Sequence, residues 1–115
     1  MHEVSIAQSI IEIVSGQCRK GGYRSITSIR VRIGRASGIM PDALLFAFDA
    51  IKADSPARQA VLEIEEVCVS GRCRDCGRDF SVEGEYVLDC PLCGGLAFEI
   101  TAGREMDVTD MEVEE

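Results

Sequence analysis

CRDCGRDFSVEGEYVLDCPLCGG, residues 73–95, holds two cysteine pairs at the spacing C-x2-C-x13-C-x2-C. Two residues between paired cysteines allow a tight turn that brings both thiolates onto one ion. Gly77 and Gly94, one after each pair, supply the permissive backbone where the turn reverses. Cys90 and Cys93 then close a tetrahedron with Cys73 and Cys76 from the facing hairpin. Four sulfurs select zinc ahead of a single iron and leave no open position, so the site is structural rather than hydrolytic. A segment of about 25 residues cannot build its own core, and bound metal supplies much of its folding energy. The rival reading, two disulfides, is disfavoured by the close pairing and by a start, MHEVSIAQSI, with no basic, signal-like character. Cys18 and Cys68 stand alone on apolar faces and are expected to pack as small hydrophobes.

Working outward, the sequence before the cysteines alternates helix and strand periods. Val4, Ala7, Ile11, Val14 and Cys18, flanked by Ile10 and Ile13, recur at steps of three and four and predict a helix over 4–18. Gly21-Gly22 stops it, and Arg19 and Lys20 suit its negative end. Over 26–33 the period becomes two: Ile29, Val31 and Ile33 face one way, Arg30 and Arg32 the other, as in a strand covered on one side. After a turn at 34–38, Pro41 at a first helical position and Asp42 beside it open a second helix through Leu44, Ala47, Phe48 and Ile51. The Asp54-Ser55-Pro56 breaker ends it. A second strand is expected over 60–69 with a bulge at Glu65-Glu66, another at 96–100, and a returning one near 104–110; the final EVEE is expected to fray. The fold class is therefore α+β: a small three-stranded sheet with two helices on one face, plus an inserted zinc-ribbon-like module with two CxxC knuckles. Residues 1–69 form the main domain, completed by a strand from 102–115, and 70–101 form the zinc-binding module.

With 115 residues the chain supports one compact domain and a satellite. No apolar run is long enough to span a membrane, and the cytoplasm is the expected location. The net charge of −8 is unevenly spread, +3 over residues 1–60 and −11 over 61–115. Four thiolates on zinc add a formal −2 to the acidic part. A nucleic-acid grip needs a basic surface, so no nucleic-acid role and no membrane role are expected. One histidine and a closed metal site also argue against an enzyme.

That histidine is His2, in Met1-His2-Glu3. A histidine near a terminus is commonly solvated and without a ligand, but its neighbours here offer more. The Met1 amine, the His2 backbone nitrogen and the His2 ring nitrogen can close fused chelate rings, with the Glu3 amide at a fourth corner and the Glu3 carboxylate outside the plane. Planar nitrogen coordination suits Ni(II) or Cu(II) and suits zinc poorly. Amine and imidazole must both shed protons to bind, so the site would release its ion as pH falls. The bulky second residue is expected to keep Met1 in place.

MHEVSIAQSI at 1–10, VRIGRASGIMPDALLFAF at 31–48, the two knuckles and Gly103-Arg104-Glu105-Met106 together resemble the hydrogenase maturation nickel metallochaperones, the HypA/HybF family, over nearly the whole chain. The resemblance implies a nickel-binding domain of two helices on a three-stranded sheet, with nickel at the amino-terminal nitrogen and His2, helped by Glu3. It implies structural zinc at Cys73, Cys76, Cys90 and Cys93. It also implies two partners, a nickel-binding maturation GTPase and the hydrogenase large subunit that receives the nickel as transferred cargo. The family often carries an acidic residue near the position of Met40. Here the nearest is Asp42, read as a helix-end charge. The competing reading is a zinc-ribbon nucleic-acid-binding or adaptor protein with no nickel role; a homodimer is left open.

Overall fold

The computed structural model describes residues 2–115. In chain order these form α1 (Glu3–Gly21), β1 (Ser25–Gly34), α2 (Pro41–Ile51), β2 (Val61–Val67), β3 (Val69–Cys73), β4 (Asp79–Val82), β5 (Phe98–Ala102) and β6 (Met106–Glu114), with single 3-10 turns at Arg35–Ser37 and Lys52–Asp54. The strands make two sheets, ordered β2-β1-β6 and β4-β3-β5. Two compact units result. One takes the chain through Arg32, Ile39–Glu65 and Asp107–Glu115; the other takes Ile33–Gly38 and Glu66–Met106. No helix among the described residues is long and apolar enough to cross a membrane.

In the first unit α1 packs on α2 and buries Ala7, Ile10, Val14 and Cys18. This stripe is rotated from the expected one. Ile10 is buried where Ile11 is only half-buried, and Val4 lies outside the stripe, exposed. At about 100° per residue the steps 7-10-14-18 hold one line as well as 4-7-11-14-18 does, so spacing alone did not choose between them. Gly22, at φ 69°, caps the helix: its amide donates to Arg19 O (3.1 Å), and the Tyr23 amide donates to Cys18 O (3.0 Å). Pro41 opens α2 without losing a hydrogen bond, and Leu44, Ala47 and Phe48 face inward. At its far end the Lys52 ammonium joins Asp49 (2.9 Å) and Ala60 O (3.1 Å) while lying over the Phe48 ring.

β1 follows the expected alternation. Ile29 and Val31 are buried, while the other face of the sheet carries ion pairs from Arg30 to Glu63 and Asp110 and from Arg32 to Glu65. The ion pairs Arg30–Glu63 and Arg32–Glu65 advance in the same direction along β1 and β2, the sense a strand–helix–strand crossover requires. Contacts with β6 run oppositely, Arg24 reaching Glu114 and Arg30 reaching Asp110. The EVEE segment is not frayed: β6 extends to Glu114, whose carbonyl accepts the Arg24 amide (2.9 Å), and Thr27 Oγ1 donates to Glu112 O (3.2 Å). Pairing with β1 overrides the tendency of a charged terminus to stay loose.

The expected single strand over 60–69 is instead two strands in different sheets, parted at Cys68. The phase slip read near Glu65-Glu66 marks the chain leaving one unit for the other rather than a bulge within one ladder. In the second unit β3 is central and antiparallel to both neighbours, with Gly71 opposite Phe80 on one side and Ile100 on the other. A side chain at Gly71 would press on the Phe80 ring (2.6 Å) and Glu99 O (2.7 Å), so the glycine lets Phe80 lie across the strand. Phe80 meets Phe98 edge to face, centroids 5.9 Å apart, and with Cys73 and Cys90 forms the small core.

Candidate metal centre

The structure brings Cys73, Cys76, Cys90 and Cys93 together, with all four sulfurs within 4.8 Å of one another. Cys73 ends β3, and the chain turns back at Cys76 into β4; Cys90 and Cys93 lie on the second knuckle. The two knuckles repeat one hydrogen-bond scheme. Gly77 and Gly94, at φ 73° and 76°, donate to Cys73 O (2.9 Å) and Cys90 O (2.7 Å). The amides of Cys73 and Cys90 donate across the turn to Arg78 O (3.0 Å) and Gly95 O (2.8 Å). Left-handed backbone at each glycine makes this reversal, which any Cβ would strain.

The sulfurs fit a tetrahedral ion. Zinc–sulfur bonds of about 2.3 Å put ligand sulfurs about 3.8 Å apart. Cys73 to Cys93 is 3.6 Å and Cys76 to Cys90 is 3.9 Å, both across the knuckles rather than within them. The thiols are not equivalent. Cys73 and Cys90 are buried, Cys76 is half-buried, and Cys93 is exposed. The Arg78 amide holds the Cys76 thiol down to about 6, outweighing desolvation, with help from the Arg78 side chain and neighbouring thiols. At Cys93 the Gly95 amide favours the thiolate, but contacts with Cys73, Cys90 and Cys76 and partial desolvation push the thiol up to about 12. A cluster of anionic sulfurs cannot empty itself of protons, so a cation must displace the last ones.

Arg78 was not singled out by sequence reading, though its place two residues after Cys76 mirrors Gly95 after Cys93, where the amide donates to the sulfur (3.4 Å). Cys18 and Cys68 lie outside the cluster. Cys18 is buried in α1 and its thiol donates to Tyr23 O (3.5 Å).

At the amino terminus, Met1 and its amine lie outside the described residues. His2 caps α1 with extended backbone, its carbonyl accepting the Ile6 amide (3.3 Å), and its ring is exposed. Glu3 opens the helix, and its Oε2 accepts the Met40 backbone amide at 3.2 Å. That bond, followed by one from Glu3's own amide, holds its carboxyl below the usual range. Near position 40 the contact to Glu3 is thus made by a backbone donor. Asp42 sits in the first turn of α2, as a helix-end charge would. An open groove of about 540 Å³ adjoins His2 and Glu3, walled by Ala43, Phe46, Ala50 and Ile51. Arg30 and Arg32 are engaged in ion pairs, and Arg35 donates to Glu83 O (2.7 Å).

Residues 1–113 match the family described as hydrogenase/urease nickel incorporation, metallochaperone, hypA. The hydrogenase maturation factor HypA of Geotalea uraniireducens is 41% identical over 114 residues, which take in 99% of this chain and 100% of that protein. The factor of the same name from Chlorobium luteolum is 43% identical over 115 residues, 100% of this chain and 97% of that protein. The solution structure of the nickel metallochaperone HypA from Helicobacter pylori has the same fold, with a TM-score of 0.70 at 27% identity over 99% of this chain and 98% of that one.

Proposed function

Because this chain belongs to the HypA family of non-catalytic hydrogenase-maturation metallochaperones, we propose that it takes up one Ni(II) at its amino terminus and delivers it to the large subunit of a nickel–iron hydrogenase, working with a nickel-binding maturation GTPase in the cytoplasm. Nickel here is cargo. The observation that carries the reading is the family match over residues 1–113, which takes in His2, Glu3 and both knuckles. The family's description takes in urease as well as hydrogenase; the relatives above are hydrogenase maturation factors, and the proposal follows them.

The Met1 amine and the backbone and ring nitrogens of His2 would supply the nickel ligands, and this requires an unblocked amine. His2 is solvated and sits as the extended cap before a helix, so its ring is free to close on a metal and to open again. Glu3 is already committed to the Met40 amide, which favours a role in fixing the helix start over direct ligation. Cys73, Cys76, Cys90 and Cys93 would hold zinc, which would supply a closed, redox-inert cross-link for the second sheet.

The rival zinc-ribbon reading for nucleic acid has little to work with, since Arg30 and Arg32 already face carboxylates and the cysteine segment is acidic. Untagged protein should bind one equivalent of Ni(II), lose it in His2→Ala and on acetylation of the amine, and keep zinc in both. Nickel binding unchanged in His2→Ala would sink the residue assignment.

A further inference from the structure

The second knuckle displays apolar side chains that the metal cage does not use. Tyr86 is 80% exposed, Leu88 85%, Leu92 49% and Leu96 77%. They fall within eleven residues, and the backbone around them is held. Val87 packs against the Cys73–Phe80–Cys90 core, which turns its neighbours Tyr86 and Leu88 outward. Cys90 and Cys93 point to the sulfur cluster, and Cys90 N to Gly95 O (2.8 Å) and Arg74 N to Ala97 O (2.7 Å) fix the stretch on which Leu92 and Leu96 are carried. Leu92 and Leu96 are thus presented on an ordered frame, with Tyr86 and Leu88 flanking the anchored Val87, so docking would have less loose chain to freeze. A soluble domain of this size gains nothing in its own stability from such a group.

The charge around them selects the partner. Residues 83–96 contain Glu83, Glu85 and Asp89 and no lysine or arginine; Arg35 reaches this stretch at the Glu83 carbonyl (2.7 Å), and Glu85 and Asp89 are exposed. We propose that Tyr86, Leu88, Leu92 and Leu96, with Glu85 and Asp89 at the rim, dock onto a protein surface that is apolar at its centre and edged with lysine and arginine. Anionic lipid and nucleic acid would be repelled by the same acids. A second copy would set acid against acid. The apolar centre supplies affinity, while the acidic rim steers the approach.

The carrier reading enters only through the choice of test partners, the maturation GTPase and an immature hydrogenase large subunit, each purified. Zinc-loaded full-length protein is titrated against both at low and moderate salt. The triple variant Tyr86→Ser/Leu88→Ser/Leu96→Ser should bind one of them at least roughly tenfold more weakly, with zinc content intact. Glu85→Lys/Asp89→Lys leaves every sulfur and apolar contact in place and should slow association and flatten its salt dependence; it decides the matter if the triple variant loses zinc. Wild-type affinity for both partners in the charge-reversed variant, or no binding of either by the wild type, overturns the proposal. Self-association abolished by the triple variant, with partner binding untouched, would assign the patch to a second copy instead. Nickel binding, read on the same samples, tests the carrier reading separately.

Discussion

The sulfur cluster and the amino terminus offer a metal opposite surroundings. The first is four thiols from two turns, two of them buried, cross-bonded by backbone amides and floored by aromatic rings. The second is an exposed imidazole at the cap before a helix, beside a carboxylate already bound to a backbone amide. A metal in the cluster would replace a hydrophobic core that residues 66–106 are too few to build, so its loss costs structure. A metal at the terminus would replace only water, so its loss costs nothing but the cargo. Retention and transfer are separated by what the fold would lose when each ion leaves.

The sharpest way to break this contrast is to open the cluster. Cys90→Ser removes a buried sulfur ligand, and the zinc it would help to hold contributes on the order of 10 kcal/mol to a module of this kind. Metal analysis should show zinc gone, and hydrogen exchange should show β3, β4 and β5 unprotected while amides of β1 stay protected. Full protection of β3 without metal would mean that the second sheet stands unaided and that the cluster is not its core. Next in size is the floor beneath it. Phe80→Ala deletes the largest apolar side chain of that core and should destabilise the module by about 3 kcal/mol in denaturant titration with zinc present. An equal change in His2→Ala would erase the distinction; none is expected, because His2 is exposed.

How far the sequence could be read follows the same divide. The cluster was legible because CxxC-glycine is a local rule: the turn, its positive φ and the direction of two thiols are settled within five residues. The helices and β1 were legible from periodicity, since each has one covered face. What escaped depended on pairing across long separations. That β6 runs to Glu114 follows from β1 accepting it as a neighbour, which a run of acids does not announce. That the strand over 60–69 divides at Cys68 follows from two sheets claiming its halves. Glu3 meeting the Met40 amide joins residues from two helix starts, and nothing near either in sequence points to the other.

A finer test concerns what surrounds the cluster. Arg78 supports the Cys76 thiolate through its amide and, to a lesser degree, its guanidinium. Arg78→Ala keeps the amide and removes the side chain, so zinc affinity should fall by roughly tenfold, the low end for loss of a group supporting a metal ligand. The deficit should widen as pH falls toward 6, where protons compete for Cys76 more successfully without the guanidinium. A chelator competition at two pH values reads both effects, and a pH-independent deficit would mean that Arg78 acts only through packing.

The smallest expected effect sits at the amino terminus and tests whether that end is built at all. The Met40 amide lowers the Glu3 carboxyl below its ordinary value, so the contact favours the fold above that value and is lost as pH falls through the lowered one. The Met40 amide resonance should therefore move with a midpoint below that of an unstructured glutamate, and Glu3→Gln should flatten the titration. Because Glu3 is solvated, the change in global stability should be hard to detect. Nickel uptake by Glu3→Gln should weaken without disappearing, since the proposed ligands are nitrogens and the carboxylate's contribution is to hold the helix start in place. Abolition of nickel binding in Glu3→Gln, with α1 intact by its amide spectrum, would move Glu3 from support to ligand, and the terminus would then hold its ion by a side-chain oxygen as well as by its own nitrogens.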